Sequence, residues 1–248
     1  MTHTVVVAGV GPGLGASLAR RFAAEGCDVG LLARTASFVE GLASDIGTDV
    51  AGDAVAAPAD ITDREAVADA FATVREAFGP VDVLVNHASG ATWDGADVDP
   101  ADFRRSLEIG PVGSLHCTQE ALADMRPESG NDADDDTDTP SETRGTVIFT
   151  GATSAVRGRD GALGFSAAKF AVRGMAESLA RELGPEGVHV AHVVIDGGIA
   201  TPAALEAGAD PDELLDPDAI ADSYWHLVEQ DRSSWTLELD LRPHVEDF

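Results

Sequence analysis

A run of glycines stands between the first predicted strand and the first predicted helix. The apolar stretch from Thr4 to Ala8 is followed at once by Gly9-Val10-Gly11-Pro12-Gly13-Leu14-Gly15. From Leu14 to Glu25 apolar residues recur at helical spacing, so the glycines join a strand to a helix. Glycine permits positive φ angles and close backbone approach of a ligand, and the amides at a helix N-terminus bind anionic oxygens. In this position the glycines predict a turn that binds a pyrophosphate, and hence a parallel α/β sheet.

Short β-branched runs alternate with longer helical segments along the rest of the chain, which is typical of βαβ units. Further strands are predicted at 29–33, 54–57, 81–85, 146–150, 188–195 and 235–241, and helices near 37–46, 67–78, 101–125, 161–183 and 218–229. We see no internal repeat and no change of composition that marks a second domain. We therefore predict one α/β domain of Rossmann type over residues 1–248.

The charge of the chain limits its partners. Forty-four acidic residues stand against 16 basic ones, and the net charge is −28. Such a surface repels nucleic acid and anionic lipid, so neither is an expected partner. Over the roughly 10,000 Å² that a protein of this mass exposes, the acidic groups repel one another unless salt screens them, and the Debye length falls to about 3 Å at 1 M salt. We expect a cytosolic protein of a halophile; an acidic mesophilic protein is the alternative.

Other features predict a soluble, cytoplasmic chain without a metal site. No apolar run approaches the roughly 20 residues that span a bilayer, and Met1-Thr2-His3-Thr4 lacks the basic start of a signal peptide. Cys27 and Cys117 have no metal-ligand spacing and are expected to pack in the core. Residues 127–144 carry seven acids and almost no apolar residue, which predicts a mobile loop before the fifth strand. The loop is either a solvated surface segment or a cation-binding one.

Polar residues directly follow three of the predicted strands, where ligands bind in open α/β sheets. Arg34 follows the second strand, and Ala33 stands where a carboxylate would usually bind the 2′-hydroxyl of NAD. A guanidinium there suits a 2′-phosphate, so NADP(H) is favoured over NAD(H), although Arg34 could also be an ordinary surface residue. Asp60 and Asn86 follow the third and fourth strands.

These residues together resemble the short-chain dehydrogenase/reductase family. The likeness covers, in order, the glycine loop, Asp60-Ile61-Thr62, the segment Asp82-Val83-Leu84-Val85-Asn86-His87-Ala88 in place of the family's NNAG, Lys169, and Asp196-Gly197 to Thr201 in place of PG-x-x-x-T. The resemblance implies a doubly wound sheet of seven strands in one domain. It also implies homodimers or homotetramers assembled through the helices at 101–125 and 161–183.

The resemblance further implies how a dinucleotide is held. It assigns the pyrophosphate to Gly9, Gly13, Leu14 and Gly15, the 2′-phosphate to Arg34, the adenine to Asp60 and Ile61, the ribose to Asn86 and Lys169, and the carboxamide to Thr201. Lys169 is the only lysine beside fifteen arginines. Its position at the family's lysine place favours a bound nicotinamide ribose.

The family's Asn-Ser-Tyr-Lys catalytic set is altered at three of four positions. Phe165 stands in the tyrosine position, Ala152 in the serine position and Gly110 in the asparagine position, while Lys169 remains. The chain is similar in this to an atypical subgroup of the family with phenylalanine for tyrosine. Loss of a general acid typically costs 10² to 10⁴ in rate. The groups considered as substitutes are Thr153, Ser154, Ser166, His87 and, less readily, Tyr224.

Two functions follow from these residues. The first is an NADP(H)-dependent short-chain oxidoreductase that acts on a small carbonyl or enoyl compound with an atypical centre. The second is a non-catalytic NADP(H)-binding sensor or scaffold of the same fold. Trp93 and the stretch from Ala203 to Leu215 are expected to frame the substrate pocket, the latter as a lid, but they do not select a substrate.

Overall fold

The computed structural model of the chain describes residues 3–90, 93–126 and 143–245. The acidic segment predicted as a mobile loop at 127–144 therefore lies, apart from its last two residues, outside the described residues.

Seven parallel strands form one sheet in the order β3-β2-β1-β4-β5-β6-β7. The strands are β1 (Thr4–Ala8), β2 (Asp28–Leu32), β3 (Ala54–Ala56), β4 (Val83–Asn86), β5 (Gly145–Thr150), β6 (Val188–Ile195) and β7 (Glu238–Leu241). The predicted fold class, a doubly wound parallel sheet of seven strands, is confirmed. The strand order reverses between β1 and β4, and ligands bind at the carboxyl ends of strands at such a point.

The described residues form eight α-helices, and six of them make the two layers that cover the sheet. The helices are α1 (Leu14–Ala24), α2 (Ala36–Asp49), α3 (Arg64–Phe78), α4 (Pro100–Leu107), α5 (Gly113–Met125), α6 (Leu163–Leu183), α7 (Pro202–Glu206) and α8 (Pro217–Val228). α1, α2 and α8 pack on one face, and α3, α5 and α6 pack on the other. No helix within these described residues is long and apolar enough to cross a membrane.

Successive side chains of a strand pack alternately against the two helix layers. Val5 and Val7 of β1 belong to the core under α1 and α8, while Val6 and Ala8 belong to the core under α3 and α5, because successive strand residues point to opposite faces. Both cysteines are buried in these cores, as expected.

The helix predicted at 101–125 is interrupted. A π turn at Glu108–Val112 separates α4 from α5. Pro111 lies inside this turn and has no amide hydrogen for the helical ladder, and π turns accommodate such a defect. Gly110 in the same turn packs on α6, since a Cβ there would lie 3.1 Å from the Cβ of Ala168.

The last strand is shorter than the predicted 235–241 and begins at Glu238. The backbone just before it is held by side chains instead: Thr236 N donates to Gln230 Oε1 at 2.8 Å, and the Trp235 ring stacks on His189 with centroids 5.0 Å apart.

Candidate active site

The glycine loop crosses the carboxyl ends of β1 and β4 in a backbone conformation that other residues rarely adopt. Gly9 has φ 110°, and a Cβ on it would lie 2.3 Å from the amide nitrogen of Ala88. Gly13 has φ 111°, and a Cβ on it would lie 2.8 Å from Cγ2 of Thr201. The loop leads directly into α1, whose first-turn amides are suited to an anion.

A cavity of about 340 Å³ lies beside this loop. Its wall includes the loop backbone at Gly9 and Gly11, Arg34 after β2, Asp60 after β3, and His87 after β4. A Cβ on Gly11 would meet no atom within 4 Å, so this part of the loop is open to a ligand. Gly9 and His87, which are 78 positions apart in the sequence, are thus brought into one site.

Asp60 presents a charged acceptor in this cavity. Its pKa is lowered, first because the backbone amide of Thr62 donates to Oδ1 at 3.0 Å, and further by the hydroxyl of Thr62 and by the charges of Arg105 and Arg34. An ionised carboxylate accepts hydrogen bonds from amino groups such as that of an adenine.

Three other predicted cofactor residues have structural roles in the described residues. Asn86 is buried, and its Nδ2 donates to Thr118 Oγ1 at 3.1 Å, which ties β4 to α5. Thr201 caps α7, since its Oγ1 accepts from the amide of Ala204. Leu14 is buried in the core under α1. The wall of the cavity after β4 is formed by His87 and its neighbours, so the ribose contact predicted for Asn86 stays a prediction.

Lys169 is buried at the carboxyl end of β5. Its residue is 6% exposed, and its Nζ donates to the carbonyl oxygen of Thr150 at 2.7 Å. Burial lowers the pKa of this ammonium to about 8. The Nζ lies 5.7 Å from the centroid of the Phe165 ring, so the lysine adjoins the position that holds tyrosine in the family.

The residues predicted at the three altered catalytic positions, Phe165, Ala152 and Gly110, bear no polar side-chain group, and Phe165 lies beside Lys169. Phe165 contacts Trp93, with ring centroids 5.9 Å apart, and Arg159 covers the Trp93 ring at 5.4 Å. Ala152 precedes a 3₁₀ turn at Thr153–Ala155, and Gly110 lies in the π turn. None of these three side chains can donate a proton.

The hydroxyls considered as substitutes have other partners or are enclosed. Thr153 Oγ1 donates to Asp196 Oδ1 at 2.6 Å, and Ser166 Oγ accepts from the amide of Arg159. Ser154 is 0% exposed. Tyr224 is also 0% exposed, lies in α8, and has a pKa raised by burial.

A hydrogen-bonded chain that sequence analysis missed connects α8 to the cavity. Tyr224 OH lies 2.9 Å from Thr150 Oγ1, which lies 3.3 Å from Nδ1 of His87. Burial, aided by the charge of Lys169, lowers the pKa of His87 to about 4, so the imidazole is neutral at pH 7. These partners are 63 and 74 positions apart in sequence, and no local pattern signals them.

A second cluster missed from sequence centres on Asp196. This residue follows β6 where the family has proline, and it is 1% exposed. Its carboxylate accepts from Thr153 and, through both oxygens, from Arg157 Nη2 at 3.1 and 3.0 Å. Arg242, just after β7, lies 3.6 Å away. The carboxylate therefore fixes the segment after β5 against the ends of β6 and β7.

The switch point, the glycine loop, the polar cavity and the buried lysine together define a dinucleotide-binding domain of Rossmann type. Residues 3–212 match the family model described as short chain dehydrogenase, and the chain belongs to that family.

The similar proteins align with nearly the whole chain. The short-chain reductase protein NovJ of Streptomyces niveus is 30% identical over 244 residues, covering 96% of this chain and 86% of the relative. The 3-ketoacyl-(acyl-carrier-protein) reductase of Brucella melitensis, solved with NADH, superposes with a TM-score of 0.82 at 26% identity, covering 98% of this chain and 97% of that one. The alcohol dehydrogenase of Thermococcus sibiricus, solved with 5-hydroxy-NADP, has the same fold with a TM-score of 0.84 at 20% identity, covering 100% of this chain and 99% of that one.

These likenesses confirm the predicted class of an oxidoreductase of the short-chain dehydrogenase type.

Proposed function

We propose that the chain is an NADP(H)-dependent oxidoreductase that reduces a carbonyl or enoyl group of a small compound at a centre without the family's Asn, Ser and Tyr. The observation that carries this proposal is the placement of the only lysine. It is buried, and it is hydrogen-bonded at 2.7 Å to the end of β5, at the ligand-binding edge of the sheet. A buried ammonium is costly, so its presence at this place indicates a ligand or a reaction that uses it.

The cavity fits the adenosine half of a dinucleotide. The open backbone at Gly11 and the N-terminus of α1 would receive the pyrophosphate, and the ionised Asp60 would accept from the adenine amino group. Arg34 is exposed at the cavity wall and forms no ion pair with the described residues. The Arg34 guanidinium is therefore available to bind a 2′-phosphate, which supports NADP(H) over NAD(H).

The nicotinamide half would lie toward Lys169 and Thr201, on the far side of the glycine loop. When bound, a reduced nicotinamide supplies a hydride to an electrophilic carbon. Lys169 would bind the ribose hydroxyls beside it, and the methyl of Thr201 packs against Gly13 and keeps the loop in place. Phe165 and the exposed ring of Trp93 contact each other at this end, and this apolar surface would suit a substrate of limited polarity.

We also propose a homo-oligomer and a saline cytoplasm as the setting of the chain. Four large apolar side chains are 39–49% exposed around α5 and α6: Val112, Leu115, Leu163 and Phe170. A second copy would cover them, as the resemblance implies. Light scattering at high salt would give the mass of two or four chains; a monomer would refute this assembly.

The test of the function begins with cofactor binding. Purified protein in molar KCl is titrated with NADPH and NADH by fluorescence, and a panel of carbonyl and enoyl-thioester compounds is then assayed for NADPH oxidation. We expect NADPH binding and turnover of at least one class. Tight binding without turnover on either class would favour the sensor or scaffold, and absence of binding would refute both functions.

A further inference from the structure

Among the described side chains near Phe165, Lys169 is the strongest acid at neutral pH, because serine and threonine hydroxyls are far weaker acids than an ammonium. Thr153 donates to Asp196, Ser166 accepts from the amide of Arg159, and the Ser154 hydroxyl is fully buried without a hydrogen-bond partner among the described residues. Tyr224 is enclosed in the core below Thr150. His87 is neutral at pH 7, because burial lowers its pKa to about 4. Lys169 remains.

We propose that Lys169 takes over the role of the missing tyrosine and gives its own proton to the substrate oxygen. This inference rests on the proposed function and names the catalytic acid of the same site. The geometry that supports it is the position of Nζ, which adjoins the tyrosine position at 5.7 Å from the Phe165 ring centroid. One N–H donates to Thr150 O, and the other two make no hydrogen bond to the described part of the chain.

The surroundings of Nζ lower the pKa of the Lys169 ammonium and so favour proton donation. Its charge faces the imidazoles of His87, just after β4, and of His192 on β6. His192 in turn binds Glu238, whose Oε2 lies 3.1 Å from Nδ1 and also accepts from Arg173. Within the described residues no carboxylate forms an ion pair with Lys169. Desolvation thus lowers its pKa to about 8, close to the pH at which a general acid works best.

Thr150 is the positioning residue of this arrangement. Its carbonyl oxygen holds Nζ, while its hydroxyl is bound between Tyr224 and His87. Either hydroxyl can donate in the 2.9 Å contact between Tyr224 OH and Thr150 Oγ1, and the role of His87 Nδ1 in its 3.3 Å contact with Thr150 Oγ1 depends on the imidazole tautomer. The β5 terminus is therefore fixed from both faces of the sheet.

The chemical step balances with the cofactor of the proposed function. A reduced nicotinamide, when bound, would supply the hydride for the new C–H bond at the carbonyl carbon, and the π pair of the C=O bond would move onto oxygen. An N–H bond of Lys169 breaks as an O–H bond forms, so the product is an alcohol. The lysine is left as a neutral amine, which solvent protonates again.

The only lysine of the chain can be observed without any assay of activity. Protein grown with ¹⁵Nζ-lysine gives a single side-chain signal, and its titration yields the pKa of Lys169 directly. We expect a midpoint near 8, against about 10.4 for an ordinary lysine. We also expect kcat/KM for ketone reduction to fall above the same pH, because the acid must be protonated to act. A midpoint above 10, or a rate that is constant to pH 10, would overturn the inference.

Lys169→Arg separates charge from proton donation. Arginine stays protonated to above pH 12, so this variant should lose about 10² to 10⁴ in kcat and lose the fall at high pH; its NADPH affinity is measured separately, because Lys169 is also assigned to the ribose. His87→Asn is the comparison variant, in which that fall should stay near pH 8. A fall that survives Lys169→Arg, or that disappears in His87→Asn, would assign the acid elsewhere. Wild-type protein that reduces nothing would instead refute the proposed function and, with it, this role.

Discussion

Single side chains decide the cofactor and the chemistry of this site. Arg34 and Asp60 could be identified from the sequence because each follows a strand directly, and the carboxyl ends of parallel strands meet at one edge. Thr150, His87 and Asp196 could not, because their roles depend on partners 39 to 74 positions away. The catalytic positions were predicted from their spacing to Lys169 and stay a prediction, whereas the groups that lie beside them depend on the tertiary structure.

Arg34→Ala should weaken NADPH binding more than NADH binding. One or two charge-assisted hydrogen bonds to a 2′-phosphate are each worth roughly 1.5–3 kcal/mol, and molar salt reduces the longer-range part of this attraction. We expect a loss of about tenfold or more for NADPH and little change for NADH, measured by fluorescence titration. Arg20→Ala is the matched control, since Arg20 is an exposed arginine on α1. Equal losses for both cofactors, or tighter NADH binding in the wild type, would contradict the assignment.

Phe165→Tyr combined with Ala152→Ser should create or raise ketone reduction. In this variant a phenol and a hydroxyl stand where the family holds them, and Lys169 is present to lower the pKa of the tyrosine. A buried phenol without a partner costs about 1–3 kcal/mol, so unfolding is measured beside activity.

Phe170→Tyr serves as the control for that double change, because Phe170 lies on the same helix but is 44% exposed. A folded double variant that binds NADPH and gains nothing on a broad ketone panel would argue against a degraded tyrosine centre. It would favour enoyl chemistry or the non-catalytic function.

At the scale of elements, alternation of apolar runs predicted seven strands along the chain. The five central strands are buried between two helix layers, which gives the clearest pattern, whereas the edge strands β3 and β7 are partly exposed. The break between α4 and α5 was missed. Apolar periodicity continues across it, and the defect at Pro111 is absorbed by a π turn that does not alter which face is buried. The start of β7 was misplaced because hydrogen bonds from Gln230 and His189, rather than strand pairing, hold Thr236.

Asp196→Asn should destabilise the contact between the segment after β5 and the ends of β6 and β7. The carboxylate at the end of β6 is 2% exposed and accepts charged or short hydrogen bonds from Thr153 and Arg157. An amide keeps the shape but loses the charge, and hydrogen bonds to charged groups contribute about 1.5–3 kcal/mol each. We expect the free energy of unfolding to fall by about 2 kcal/mol in urea at molar KCl. Asp240→Asn removes a 43% exposed partner of Arg242 and should cost less than about 1 kcal/mol. Equal effects would show that burial of Asp196 is irrelevant.

At the scale of the whole molecule, several arginines of the described surface form ion pairs, but the negative charges far outnumber them. Arg75 pairs with Glu120 and Asp124, and Arg126 pairs with Glu182 and Glu186. Exposed pairs of this kind contribute about 0–1 kcal/mol each. These ion pairs do not reduce the net charge of −28. Repulsion among carboxylates therefore acts over the entire fold rather than at any one site.

Salt should therefore stabilise the chain despite weakening its ion pairs. Raising KCl from 0.1 to 2 M shortens the Debye length from about 10 Å to below 3 Å, which removes repulsion between acids while each exposed pair loses little. We expect Tm to rise by at least about 5 °C, equivalent to roughly 2 kcal/mol for a domain of this size, as measured by circular dichroism. Sucrose at matched osmolality is the control, because it stabilises by exclusion and leaves charges unscreened. A Tm that does not change with KCl, or rises no more than in sucrose, would show that repulsion does not limit this fold and would remove the argument for a high-salt cytoplasm.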